Sequence, residues 1–120
     1  MLLYNFQRLF RMRGITRPFT FLKSHGFSAS FATKVNRDRV LRLNLAELER
    51  LCEAFCCTPN DLLEWVPSAQ VLSPGKHPLF PLHRKDDPGR IFSMVASLPV
   101  EKIREMEELV RAKLSEEDQL

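Results

Sequence analysis

The stretch of residues 44–67, NLAELERLCEAFCCTPNDLLEWVP, contains the signals of two consecutive helices. Asn44 and Glu47 have the spacing of a capping box, in which each side chain accepts a hydrogen bond from the other residue's backbone. After this start, apolar residues recur at helical spacing on one face: Leu45, Leu48, Leu51, Cys52 and Phe55. The pattern predicts an amphipathic helix that begins directly after Asn44.

A second helix start follows within the same stretch. Thr58 can cap this helix, Pro59 suits its first turn, and the Asp61 carboxylate would lie near the positive end of its dipole. We expect its buried face to consist of Leu62, Leu63 and Trp65. Pro67 would end the helix, because proline interrupts helical hydrogen bonding.

Two shorter helices are predicted at the beginning of the chain, and glycines end both. Residues 5–12 have apolar side chains at helical spacing: Phe6, Leu9 and Phe10. Gly14 would end this helix. The next helix would start at Pro18, which suits a first helical turn, and end at Gly26.

A third short helix is predicted over residues 29–36, with Ser28 as its cap. Its inward side chains would be Val35 and either Phe31 or Ala32. Residues 1–67 therefore read as five short helices around one core, with no strand evident.

The pattern changes after residue 67. Residues 67–89 hold five of the eight prolines, and we interpret residues 68–97 as a Pro-rich linker or arm. We expect His83, Arg84 and Lys85 to decorate a flexible segment of it, while docking on the core stays open for Leu79, Phe80 and Leu82. Residues 98–120 then predict an amphipathic helix from about Pro99 to Leu114.

The charge is distributed unevenly along the 120 residues. The formal net charge is only +3, yet residues 1–42 carry nine Lys and Arg side chains against one carboxylate, that of Asp38. This segment therefore has a balance of +8, and the rest of the chain is acidic. A basic end of this kind indicates a polyanionic partner.

Composition excludes several classes of protein. No apolar stretch approaches the ~20 residues that span a bilayer, and the polar residues near the N-terminus argue against a signal peptide. Three cysteines, an odd number, do not form a disulfide framework. We therefore expect a cytoplasmic protein without a membrane partner.

Three motifs carry a family resemblance: NFQRLF at residues 5–10 followed by Arg13-Gly14, HGFS at residues 25–28, and LAELERLCEAFCCTPNDLLE at residues 45–64. On these motifs, residues 1–66 resemble the Cro and phage-repressor type of helix-turn-helix protein, the XRE family of transcriptional regulators. The whole chain, including SLPVEKIR at residues 97–104, is similar to longer variants from Bacteroidetes. The resemblance implies an all-α fold: a five-helix lambda-repressor-like domain over residues 1–67 and a C-terminal amphipathic helix.

The resemblance also implies which side chains would contact DNA. The helix over residues 29–36 would enter the major groove, with three base-facing residues: Ala29, Ser30 and Lys34. Arg17 stands where the second helix of the family usually opens with a Gln-x-Glu-Leu-Ala pattern, and it would replace the phosphate contact of that glutamine. The full set of expected phosphate contacts is Arg17, Arg37, Arg39 and Arg42. The alternative is that these cations lie on a solvated loop.

No metal, cofactor or catalytic site is predicted. Cys52 and Cys56 lie one helical turn apart, but a structural zinc site needs four ligands in paired spacings. The histidines that could complete such a site show no paired spacing: His25, His77 and His83. We interpret Cys52 as a small core residue. No nucleophile has a matched base, so we expect no enzyme.

Three partners are open for the C-terminal helix: its own domain, a second copy in a homodimer, or another protein. The dimer candidates are Ile103, Met106 and Val110. The resulting prediction is a sequence-specific regulator that binds double-stranded DNA as a dimer on a pseudo-palindromic site, within the bacterial nucleoid. The alternative is an antitoxin-like interaction module that keeps the helix-turn-helix core without specific DNA reading.

Overall fold

The computed structural model describes residues 1–118, most of which are helical. In chain order the elements are β1 (Leu2–Tyr4), α1 (Phe6–Met12), α2 (Pro18–Ser24), α3 (Ala29–Asn36), α4 (Leu45–Phe55), α5 (Pro59–Leu62), β2 (Leu63–Trp65), two 3-10 turns (Pro74–Lys76 and Phe80–Leu82), α6 (Arg90–Ala96) and α7 (Val100–Asp118). The chain forms two compact units, residues 1–88 and the residues from 89 onward. The last two residues of the predicted segment 98–120 lie outside the described residues.

The helix starts that we predicted from capping residues are confirmed. At α3, the Ser28 hydroxyl oxygen accepts the backbone N–H of Phe31 at 3.1 Å. At α4, the Asn44 side chain accepts the Glu47 N–H at 2.8 Å, and the Glu47 carboxylate accepts the Asn44 N–H at 3.0 Å. Both halves of the capping box are therefore present.

The first three helices are each followed by a residue with a left-handed backbone conformation. Gly14 and Gly26 have φ values of 65° and 85°, which glycine adopts without a steric penalty. Asp38 follows α3 with a φ of 54°, a left-handed conformation that aspartate tolerates better than most residues.

One apolar cluster lies at the centre of residues 1–88. Its fully buried side chains come from α1 to α5 and the segments between them: Phe6, Leu9, Phe10, Leu22, Phe27, Ala32, Val35, Val40, Leu51, Phe55 and Leu62. The rings of Phe10, Phe21 and Phe55 lie 5.3–6.4 Å apart. Burial of each such aliphatic or aromatic side chain contributes about 1.5–3 kcal/mol, so this cluster holds the helices together.

The prediction that Leu45 belongs to the buried face of α4 was wrong. Leu45 is 83% exposed, and residues 44 and 46 beside it are exposed too, so α4 begins outside the core. Leu48 and Cys52 pack half-buried against the core, and Leu51 and Phe55 are fully buried.

The prediction that no strand is present was also wrong. β1 and β2 pair antiparallel, with Leu2 opposite Trp65, Leu3 opposite Glu64 and Tyr4 opposite Leu63. α5 consequently ends at Leu62 and does not continue to Pro67. The chain changes from helix to strand here because β1 supplies partners for the backbone groups of β2.

The segment after β2 packs on the sheet through side chains that we did not expect to dock, since we had assigned His83 and Arg84 to a flexible part of the Pro-rich linker or arm over residues 68–97. The His77 ring stacks on the buried Trp65 ring at a centroid distance of 4.2 Å. His83 Nδ1 lies 3.2 Å from the Trp65 carbonyl oxygen, and Arg84 Nε donates to the Leu63 carbonyl oxygen at 3.3 Å. Residues 68–88 therefore belong to the same compact unit as the five helices.

The second unit consists of α6, which falls within the expected linker, and α7, which extends beyond the predicted end near Leu114. None of residues 89–117 is buried. Three ion pairs at i,i+3 or i,i+4 spacing lie along α7: Lys102–Glu105, Arg111–Glu107 and Lys113–Glu116. Among the helices of residues 1–118, none combines the length and apolar character required to cross a bilayer.

Candidate nucleic-acid interface

α2, the turn over residues 25–28 and α3 form two packed helices joined by a short connection. The Phe27 backbone N–H donates to the Leu22 carbonyl oxygen at 3.1 Å, which closes the end of α2. The Phe27 ring is buried and stacks on the Phe31 ring of α3 at 5.3 Å. Leu22 on α2 and Ala32 on α3 are fully buried, so both helices are fixed against the same core.

α3 has one face toward the core and one toward solvent. Ala32 and Val35 are buried, and the three predicted base-facing residues are exposed on the other side: Ala29, Ser30 and Lys34. Helical spacing places these three residues on one surface. The arrangement leaves a methyl group, a hydroxyl and an ammonium group available to base edges in a groove.

Thr33 lies between these residues on the same surface, and we did not single it out from the sequence. Its hydroxyl donates to the Ala29 carbonyl oxygen at 2.9 Å. The side chain is half-buried, and its hydroxyl hydrogen is already used in this bond within α3. A threonine in a helix often donates to the carbonyl oxygen four residues before it, so the residue type alone could have indicated this hydrogen bond.

The four predicted phosphate contacts are exposed and come from two places in the fold. Arg17 is the N-cap residue of α2. The other three follow α3, in the segment that leads to α4: Arg37, Arg39 and Arg42. Within residues 1–118, none of the four has a carboxylate within ion-pair distance. No ion pair with a described residue therefore neutralises their charges.

Two other cations of the basic end have structural roles that sequence reasoning missed. Arg13 donates to the carbonyl oxygens of Phe55 and Cys56 at 2.8 and 2.7 Å, at the end of α4. Arg8 donates to the Asp61 carbonyl oxygen at 3.2 Å. Burial lowers the pKa of Arg8, and the Arg84 cation lowers it further. Their partners are far along the chain, so no local pattern could identify these roles.

The cysteines lie beside the core and are not grouped with other ligands. Burial raises the pKa of the Cys52 thiol, and burial raises the pKa of Cys57 to about 12, so both thiols are protonated at neutral pH. Cys56 is exposed and has a left-handed φ of 52°. Within residues 1–118, no group of three or more His, Cys, Asp or Glu side chains could hold a metal ion.

Comparison with protein families identifies the DNA-binding part of the chain. Residues 5–68, from the start of α1 to just beyond β2, match the Cro/C1-type HTH DNA-binding domain. The chain belongs to the Cro/C1-type helix-turn-helix family. No match was found among curated proteins or among solved structures.

Membership in the Cro/C1-type family confirms the expected resemblance to XRE-type helix-turn-helix proteins and the mostly helical fold. Its matched range contains α2, α3 and the basic segment after α3, so this part of the chain is a DNA-binding domain. The family is one of DNA-binding domains and gives no indication of catalysis.

Proposed function

We propose that the protein is a transcriptional regulator that reads a specific DNA sequence with α3 in the major groove. The single observation that carries the proposal is the exposed surface of α3 within a Cro/C1-type domain, flanked by unpaired cations. Lys34 would donate to guanine O6 and N7, Ser30 would pair with a base edge, and Ala29 would contact a thymine methyl group.

The cations around this surface would supply affinity without sequence information. Arg37, Arg39 and Arg42 follow α3 directly, where phosphates flank an occupied major groove. Arg17 would meet the backbone at the start of α2. Guanidinium groups bind phosphate oxygens bidentately, so these exposed arginines are suited to phosphate contacts. A loop that is only solvated would not need arginine at these positions.

The regulator would act as a homodimer through its second unit. Residues 89–117 contain no buried side chain, so this unit has no core of its own. α7 has a narrow apolar stripe that fits a second copy: Ile103, Met106, Val110 and Leu114. Two copies would place two α3 helices on half-sites about 34 Å apart, one turn of DNA. Such a regulator would work at the bacterial nucleoid.

A salt titration tests the DNA contacts. The assay uses two DNA duplexes: one selected for tight binding to the wild-type chain, and one with the same bases in scrambled order. We expect Arg39→Ala and Arg42→Ala each to weaken binding to both duplexes by the same factor. Each change should also lower the slope of log affinity against log salt by about one unit, since one phosphate fewer is neutralised. Arg104→Ala on α7 is the control, and its slope should equal that of the wild type.

The base-reading role of Lys34 is tested with the same two duplexes. Lys34→Ala should reduce the preference for the selected duplex by about 10-fold, in line with ~1–3 kcal/mol for a base contact. A wild-type chain that binds no duplex even at low salt contradicts the regulator proposal. That result would favour the antitoxin-like interaction module instead.

A further inference from the structure

Arg50 on α4 contacts the turn between α2 and α3 in two ways. Its Nη2 donates to the Gly26 carbonyl oxygen at 2.9 Å. Its guanidinium carbon lies 4.4 Å from the centroid of the Phe27 ring. One planar side chain thus holds the backbone and the ring of two consecutive turn residues.

The contact continues from the turn to the surface of α3. Phe27 is 4% exposed, and its ring stacks on Phe31 with an interplanar angle of 21°. Phe31 is the third residue of α3, and its backbone N–H also donates to the Ser28 hydroxyl oxygen. Arg50, Phe27 and Phe31 therefore form one stack that begins on α4 and ends within the first turn of α3.

We propose that Arg50 is a positioning residue that fixes the orientation of α3 and thereby sets the discrimination between DNA sequences. The inference rests on the proposed base reading by α3. Gly26 has a positive φ, and because glycine can adopt many backbone conformations, contacts from outside the turn can add support to the geometry that it has. A hydrogen bond from a charged donor and a cation–π contact provide that support.

Arginine is suited to this role in a way that other side chains are not. Its guanidinium group lies flat over a ring while its edge donates to a carbonyl oxygen. Lysine keeps the charge as a point on a flexible chain, and glutamine keeps a donor without the charge. The pair Arg50→Lys and Arg50→Gln therefore separates geometry from charge.

The experiment measures affinity of the full chain for a selected duplex and for a scrambled duplex over a range of salt. We expect Arg50→Gln to reduce the ratio of the two affinities about 5- to 10-fold, because a less firmly oriented α3 loses part of the discrimination that a base contact provides. Affinity for the scrambled duplex should change less than twofold, and the salt slope should stay at the wild-type value. Arg50→Lys should give an intermediate ratio.

Arg13→Gln is the matched control, because Arg13 also donates to carbonyl oxygens at an end of an element, but its acceptors are Phe55 and Cys56 at the end of α4 rather than residues of the turn. It should lower the melting temperature and leave the affinity ratio unchanged. Binding is measured well below the melting temperature of each variant, so loss of folded protein does not enter the ratio.

Two results overturn the role of Arg50. A salt slope that falls by about 0.9 in Arg50→Gln would make the residue a phosphate contact. An unchanged affinity ratio in both variants would show that the turn keeps its geometry without Arg50. If the wild-type chain itself fails to discriminate between duplexes, the proposed function fails, and that outcome is visible before any variant is compared.

Discussion

Leu51 and Leu45 lie on the same helix, α4, but differ completely in burial. Leu51 is 0% exposed and Leu45 is 83% exposed. We expect Leu51→Ala to reduce the free energy of unfolding by ~2–5 kcal/mol through lost burial and a cavity. This is a large part of a typical stability of ~5–15 kcal/mol.

Urea denaturation followed by circular dichroism measures the effect of Leu51→Ala. Leu45→Ala is the control, and it should stay within about 0.5 kcal/mol of the wild type because its side chain is in water. Equal losses for the two variants would contradict the packing of α4 described here.

We expect the Asp61 carboxylate to make the stability of the fold sensitive to acid. Its carboxylate accepts the backbone N–H of Thr58 at 3.0 Å and the Thr58 hydroxyl at 3.2 Å. The backbone hydrogen bond is the main reason that the pKa of Asp61 lies below its usual value. A lowered pKa stabilises the fold above the pKa of the unfolded chain, and this stabilisation is lost as pH falls through the folded value.

Asp61→Asn removes this titration while an amide oxygen can still accept the Thr58 N–H. The melting temperature of the variant should therefore fall less than that of the wild type between pH 6 and pH 3. Glu49→Gln, at an exposed position on α4, serves as the comparison and should follow the wild type. Parallel curves for Asp61→Asn and the wild type would show that the start of α5 does not contribute to acid sensitivity.

At the scale of elements, the capping box at α4 is the clearest local determinant. Asn44→Ala removes the acceptor for the Glu47 N–H, and we expect a loss of ~0.5–2 kcal/mol in the free energy of unfolding. Asn44→Asp keeps an acceptor and adds a negative charge at the positive end of the helix dipole, so it should equal or exceed the wild type in stability. Chemical denaturation of both variants measures their free energies of unfolding. An unchanged value for Asn44→Ala would contradict the role of the cap.

The helices of residues 1–88 could be predicted because their signals are local. Ser28, Asn44 and Gly26 mark starts and ends within a few residues of the helices they limit. β1 and β2 could not be predicted in the same way. Each has three residues, too few for a visible alternation, and each depends on a partner strand at the other end of residues 2–65.

The candidate site could be predicted only in part for a similar reason. The excess of positive charge in residues 1–42 is visible in the sequence, and the predicted base-facing residues on α3 are exposed as such a role requires. The same charge count includes Arg8 and Arg13, which bind carbonyl oxygens elsewhere in the fold. Charge alone does not separate cations that face DNA from cations that hold the protein together, and the DNA contacts stay predictions.

At the scale of the whole molecule, the boundary between the two units indicates where to truncate the chain. The contacts of His77, His83 and Arg84 with β2 lie within residues 68–88. A chain that ends after Pro88 keeps these contacts, whereas a chain that ends after Pro67 exposes the Trp65 ring. We therefore expect the chain of residues 1–88 to unfold at a clearly higher temperature than the chain of residues 1–67, because burial of a large aromatic ring is lost in the shorter one.

The same truncation after Pro88 separates DNA contact from assembly. It retains α3 and the cations around it but lacks Ile103, Met106 and Val110, so it should sediment as a monomer while the full chain sediments as a dimer. A monomer occupies one half-site at a time and loses the gain in effective concentration that two linked α3 helices have on a two-site duplex. Its affinity for a single half-site should therefore match that of the full chain, and its affinity for the two-site duplex should fall by at least 100-fold (~10²–10⁴ for a linked pair). If both chains sediment with the same number of copies per particle, α7 is not the dimer interface, and its exposed apolar stripe must serve a different partner.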